Sequence, residues 1–112
     1  MTTYSESVAE VTDADFAREV LAAELPVLVK FTAEWCGPCR QLKPVLGAIA
    51  TEEAARLRIV EIDVDRNPET TLKYGILGTP TLMVFRSGEP VKSLIGARPK
   101  RRLLQELGDV LT

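Results

Sequence analysis

From Pro26 to Thr32 the chain is apolar and rich in β-branched and aromatic residues, with Val27, Val29 and Phe31 on one face of an extended segment. Farther on, Leu42, Val45, Leu46 and Ile49 recur at helical spacing. Leu57 to Val64 alternates, with Val60, Ile62 and Val64 on one face and Ile59, Glu61 and Asp63 on the other. Thr81 to Arg86 reads as a further strand, followed by Ser87-Gly88-Glu89 as a hairpin turn into Val91–Ile95. Four further signals complete the pattern. Ser7 to Val11 makes a short first strand. Thr12 stands as the N-cap of a helix with Asp13 and Asp15 in its first turn and Phe16, Val20 and Leu21 as its apolar stripe. Glu69 to Tyr74 makes a short helix after the Asn67-Pro68 turn, ended by Gly75. Leu103, Leu104, Leu107, Val110 and Leu111 give one amphipathic final helix started by Pro99. Pro44 lies inside the long second helix, where it removes a hydrogen bond and is expected to kink it. Strands alternating with helices before a closing hairpin predict a mixed sheet between helices, with crossovers making the early strands parallel.

Composition adds bounds rather than content. A chain of 112 residues predicts a single domain, 1–112. With 46% hydrophobic residues it can build a core without metal or staples. A net charge of −2 offers no basic footprint for nucleic acid. No charged and then apolar leader opens the sequence, and no stretch approaches a membrane span, so the cytosol is the expected compartment.

The candidate chemistry lies at Trp35-Cys36-Gly37-Pro38-Cys39, which holds both cysteines of the chain. They sit where a strand ends and a helix begins. There, unpaired N–H groups and the positive end of the helix dipole favour thiolate over thiol. Two intervening residues let the sulfurs reach bonding distance, so one can attack and the other resolve. Gly37 permits close approach of a partner's backbone, and Pro38 fits the first helical turn. Two alternatives are a structural disulfide and half of a zinc site. A structural staple normally closes a longer loop. A tetrahedral zinc site needs more than two cysteines, and with no histidine only a centre shared by a dimer would supply them.

Trp-Cys-Gly-Pro-Cys after Val29-Lys30-Phe31-Thr32-Ala33-Glu34 resembles the active site of the thioredoxin family. Asp65-Arg66-Asn67-Pro68, Tyr74-Gly75-Ile76, Gly78-Thr79-Pro80-Thr81-Leu82, Phe85-Arg86-Ser87-Gly88 and Gly96-Ala97 are similar to that family in order and spacing, so the resemblance runs over roughly residues 7 to 111. It implies the thioredoxin fold, a central mixed five-stranded sheet flanked by four helices. It implies a protein-disulfide reductase in which Cys36, exposed, attacks a substrate disulfide and Cys39, shielded behind it, resolves the mixed disulfide. Gly37-Pro38 between the cysteines resembles the reducing members. The resemblance further implies no bound cofactor beyond the redox-active pair, electrons from a thioredoxin reductase, many disulfide-containing substrate proteins, and a monomer. A binding protein on the same fold, with cysteines of secondary importance, is the rival reading.

The resemblance also implies a cis Thr79–Pro80 bond beside the cysteines, although a trans proline opening a strand is the ordinary case. Thr79 would then pair with an extended partner segment. Trp35, which otherwise reads as core, would join Gly37, Pro38, Ile76, Thr79, Pro80, Gly96 and Ala97 in a flat apolar surface around Cys36. Two positions depart from the family. Lys30 stands where an aspartate is usual and Glu61 where a lysine is usual, as though an ion pair were exchanged as a unit. Alternation puts both on the same side of neighbouring parallel strands; the alternative is that each reaches solvent. As a pair they would tune proton transfer, with Glu61 or a neutral lysine as base. Thr32 replaces a usual second tryptophan and predicts a smaller or wetter site there. The run Arg98, Lys100, Arg101 and Arg102 reads as a solvated face or as a means of steering an acidic partner.

Overall fold

The computed structural model describes residues 8–111 of the chain. Five strands, β1 (Ala9–Glu10), β2 (Val27–Thr32), β3 (Arg58–Asp63), β4 (Thr81–Arg86) and β5 (Glu89–Ile95), form one sheet in the order β1-β3-β2-β4-β5. β1, β3 and β2 run parallel; β4 is antiparallel to β2 and β5 to β4. This is the mixed sheet that the pattern predicts. β2 sits at its centre and is buried on both faces, which explains its nearly unbroken apolar run. Its residues divide between two cores. Leu28 packs under α2 (Gly37–Glu52) and α4 (Lys100–Glu106) with Leu42, Leu46, Ile49, Leu82 and Leu103. Val27, Val29 and Phe31 face the other way, with Val60, Ile62 and Phe85. There Phe16, Tyr74 and Phe85 form an aromatic trio with centroids 5.1 to 5.8 Å apart.

Several predicted boundaries move. The first strand is only Ala9–Glu10 within Ser7 to Val11, and Ser7 lies outside the described residues. The first helix is a short π-type turn, α1 (Ala17–Leu21), and Thr12 does not cap it. The Thr12 N–H and hydroxyl instead donate to Asp15 Oδ1, at 2.6 and 3.2 Å. Asp13 leaves the helix altogether. Its carboxylate accepts the N–H groups of Glu69 and Thr70 and the Thr70 hydroxyl, at 3.1, 2.9 and 2.6 Å, and so caps α3 (Pro68–Lys73). With both carboxylates engaged elsewhere, the helix begins later than the pattern implies.

The predicted final helix is two segments, α4 and α5 (Gly108–Leu111), with Pro99 as the N-cap of the first and the break at Leu107. Among the described residues five helical segments therefore flank the sheet where four helices are predicted. The break lets Leu103, Leu107, Val110 and Leu111 all reach one core. At the hairpin, Arg86 pairs with Glu89, which belongs to the strand. The turn is thus Ser87-Gly88, at φ of 53° and 81°. A Cβ on Gly88 would stand 3.2 Å from the Leu21 carbonyl oxygen, so glycine answers both the turn and the close approach. α2 runs from Gly37 to Glu52 as one helix through Pro44.

Candidate active site

β2 and α2 meet at the cysteines as predicted. Cys36, extended at φ −92° and ψ 107°, is the N-cap of α2, with Gly37-Pro38 in the first turn. A disulfide joins Cys36 to Cys39. The Cys39 N–H donates to Cys36 Sγ at 3.2 Å. It is one of the unpaired donors of a helix start, so a thiolate formed at Cys36 meets a hydrogen bond as well as the positive end of the helix. Both cysteines are buried, at 3% for Cys36 and 1% for Cys39. The expected exposed nucleophile is corrected to that extent: in the disulfide, Cys36 shows only an edge. The reason is packing, since Ala33 and Val64 close against the pair.

The residues expected to form a surface around them differ in exposure. Trp35 is 69% exposed, and its Nε1–H donates to Asp65 Oδ2 at 2.8 Å, which fixes the ring's edge while its face stays open. Asp65 is a site residue that sequence reasoning missed, although the Asp65-Arg66-Asn67-Pro68 motif contains it. Pro38 is exposed, while Gly37, Ile76, Thr79, Gly96 and Ala97 are half-buried. Pro80 is buried, a correction to its place on the apolar surface. Its carbonyl accepts the Gly96 N–H at 2.9 Å and so joins the two loops. The Thr79–Pro80 bond is cis. Among the described residues the Thr79 backbone makes no hydrogen bond, so its N–H and carbonyl stand unpaired. Beyond Ile76 the rim carries two strongly exposed leucines, Leu72 at 83% and Leu77 at 100%.

On the far side of the disulfide the surroundings are polar. A cleft of about 350 Å³ is lined by Cys39 together with Thr32, Lys43, Glu61 and Asp63, among others. Thr32, half-buried, borders this cleft. Lys30 and Glu61 are register partners on β2 and β3. Lys30 is fully buried, its Nζ 3.7 Å from Glu61 Oε1, with the Glu61 side chain 20% exposed. That is an ion-pair distance without a hydrogen bond. The solvent-reaching alternative for Lys30 is overturned by its burial. Burial pushes its pKa down from the ordinary 10.5; the Glu61 carboxylate opposes the shift and the Lys43 charge adds to it.

The basic run near the last helix is not one solvated face. Lys100 pairs with Glu52, Arg102 lies 3.8 Å from Glu106, and Arg98 is bonded to Glu106 with little exposure.

The family model for thioredoxin matches residues 7–109. The chain belongs to the thioredoxin family. It is 51% identical to the thioredoxin of Mycobacterium tuberculosis strain H37Rv over 102 residues, 91% of this chain and 88% of that one. It is 49% identical to the thioredoxin of Porphyra purpurea, covering 95% of this chain and 99% of the relative. It is also 46% identical to a bifunctional thioredoxin reductase/thioredoxin of Mycobacterium leprae, where 91% of this chain matches 22% of the longer protein. As a thioredoxin-family member with its cysteine pair in place, the chain is a thiol–disulfide oxidoreductase. Its redox group is the Cys36–Cys39 disulfide. No helix among the described residues is long and apolar enough to cross a membrane.

Proposed function

We propose that this chain works as a cytoplasmic, monomeric, single-domain reductant of many protein disulfides, with Cys36 as nucleophile and Cys39 as resolving thiol. The observation that carries the order of attack is the Cys36 N-cap: its sulfur receives the Cys39 N–H beside the exposed face of Trp35. The Cys36 thiolate displaces one sulfur of the substrate disulfide, which leaves as thiolate, and a mixed disulfide forms. The Cys39 thiolate then attacks Cys36 Sγ, and the second substrate sulfur leaves. Two electrons pass to the substrate and the Cys36–Cys39 bond is restored. A thioredoxin reductase returns the dithiol; the natural fusion of the two activities in M. leprae supports this donor. Trp35, Gly37, Pro38, Ile76, Thr79, Gly96 and Ala97 make the docking surface, with Thr79 pairing to an extended segment.

Glu61 takes the proton of Cys39 through the polar cleft that both residues line, and Lys30 behind it holds the carboxylate in place. Reduction of insulin by the protein with a thioredoxin reductase and NADPH tests the roles of the cysteines. Cys36→Ser is expected to abolish turnover, while Cys39→Ser accumulates a mixed disulfide through Cys36. Trapping through Cys39 in Cys36→Ser, with none in Cys39→Ser, would reverse the assignment.

A further inference from the structure

Arg98 directly follows the Gly96-Ala97 loop, yet its side chain is only 8% exposed. Nη1 donates to Glu106 Oε1 at 2.8 Å. Nη2 donates to the Ile95 carbonyl and, at 3.3 Å, to the Gly96 carbonyl. The Nε–H is buried without a hydrogen-bond partner. Taking a guanidinium out of water and leaving one donor unmet is unfavourable by itself. A charge on a solvated face would incur no such cost, so the burial of Arg98 goes with what its fork holds.

What it holds is the end of β5. Gly96 has φ +96°, a conformation open to glycine, and its N–H is bonded to the Pro80 carbonyl. The Ile95–Gly96 peptide is therefore fixed from two directions, by Pro80 through its N–H and by Arg98 through the Ile95 carbonyl. The other end of the clamp is Glu106 on α4, a helix anchored by buried Leu103 and capped by buried Leu107. Other cations gather at the same point. Arg102 Nε lies 3.8 Å from Glu106 Oε2, and Lys92 Nζ donates to the Glu106 carbonyl at 2.7 Å. The hydrogen bond from Arg98 holds the Glu106 carboxyl below the usual range, so the pair stays charged at neutral pH.

We propose that Arg98 is a positioning residue for partner recognition: clamping the Ile95 and Gly96 carbonyls to Glu106, it holds the Gly96–Ala97 backbone in the shape that receives a partner's extended segment. This rests on the reading of Gly96 and Ala97 as part of the docking surface. Without the fork, the Ile95 and Gly96 carbonyls would turn to water and their peptide units would regain freedom that binding must then remove.

The test compares a protein disulfide with a small one. Arg98→Met is expected to raise the KM for insulin about tenfold with kcat unchanged. The rate of its reduced form with 5,5′-dithiobis(2-nitrobenzoic acid) is expected to stay the same, because that compound meets the sulfur alone. Arg98→Lys keeps the pair with Glu106 but loses the fork, and should recover part of the KM. Ala97→Glu probes the surface itself. If Ala97→Glu raises the insulin KM while Arg98→Met and Arg98→Lys leave it unchanged, the surface stands and the clamp is wrong. If Ala97→Glu has no effect, the docking surface fails and takes the clamp with it. Equal losses by Arg98→Met on insulin and on the small disulfide also overturn the proposal, since the effect would then run through the thiols or the fold.

Discussion

Lys30 is an ammonium group placed where the sheet is dry, and its behaviour with pH follows from that placement. Its pKa is depressed in the folded protein, so it loses its proton at a lower pH than in the unfolded chain. Between the folded value and the ordinary 10.5, the unfolded state binds more protons. Stability therefore rises with pH through that window, and the burial penalty is at its full size below it. Urea unfolding followed as pH rises towards 10.5 should show this rise in the native protein and a flatter profile in Lys30→Met; equal profiles would mean that Lys30 is solvated. Removing Glu61 leaves the buried charge uncompensated. Glu61→Leu should cost about 2–4 kcal/mol, under the figure for a wholly buried pair because the Glu61 side chain is 20% exposed. The double mutant should recover much of that loss, and additive effects would show two independent charges. The proton role proposed for Glu61 has its own readout: Glu61→Gln should slow resolution of the mixed disulfide more than its formation. Trp35, the chain's only tryptophan, reports the chemistry directly. Its fluorescence is expected to rise on reduction by dithiothreitol, and an unchanged spectrum would place the indole away from the sulfurs.

Among the elements, α3 shows best how the chain secures its short pieces. It is six residues long, and Asn67 gives its N-terminus no side-chain cap. The Asn67 side chain is engaged otherwise, accepting the Asp13 N–H and donating to the Asp63 carbonyl. Asp13, more than fifty residues earlier, caps the helix in its stead. Partial burial works against the Asp13 charge, but the hydrogen bonds from Thr70 and Glu69 outweigh it and hold its pKa down. A carboxyl depressed in the folded state contributes stability above its unfolded pKa and loses it as pH falls through the folded one. Asp13→Ala should therefore cost about 1 kcal/mol at neutral pH, and the difference from the native protein should shrink in acid. A deficit of the same size at both pH values would locate the effect in packing. Because Ile76 and the exposed Leu77 follow α3 after only Tyr74 and Gly75, fraying of this helix should also loosen the rim of the proposed docking surface.

At the scale of the molecule, β2 joins two cores that would otherwise be separate layers. Leu28→Ala on one face and Phe31→Ala on the other should each cost several kcal/mol, about 2–5. Each variant should still unfold in one transition, coincident by circular dichroism and by Trp35 fluorescence. Two transitions would show that the layers melt apart. Much of this architecture was legible in the sequence. The alternation in β3, the bounds of β4 and the apolar run of β2 report local backbone geometry, which neighbouring residues set. So does the start of α2 at the cysteines, where the proline and glycine chemistry of the first turn is local too. Even the nearness of Lys30 and Glu61 could be read, because parallel register converts alternation into adjacency. What sequence alone could not determine depends on groups far apart in the chain. Asp13 reads as a first-turn acid of its own helix and caps another. Arg98 reads as one of a basic run and is buried against Glu106. Cys36 and Pro80 read as exposed and are covered by Ala33, Val64 and the joined loops. Burial and hydrogen-bond partners belong to the packed chain, where each polar group takes the partner that removes it from water at least cost.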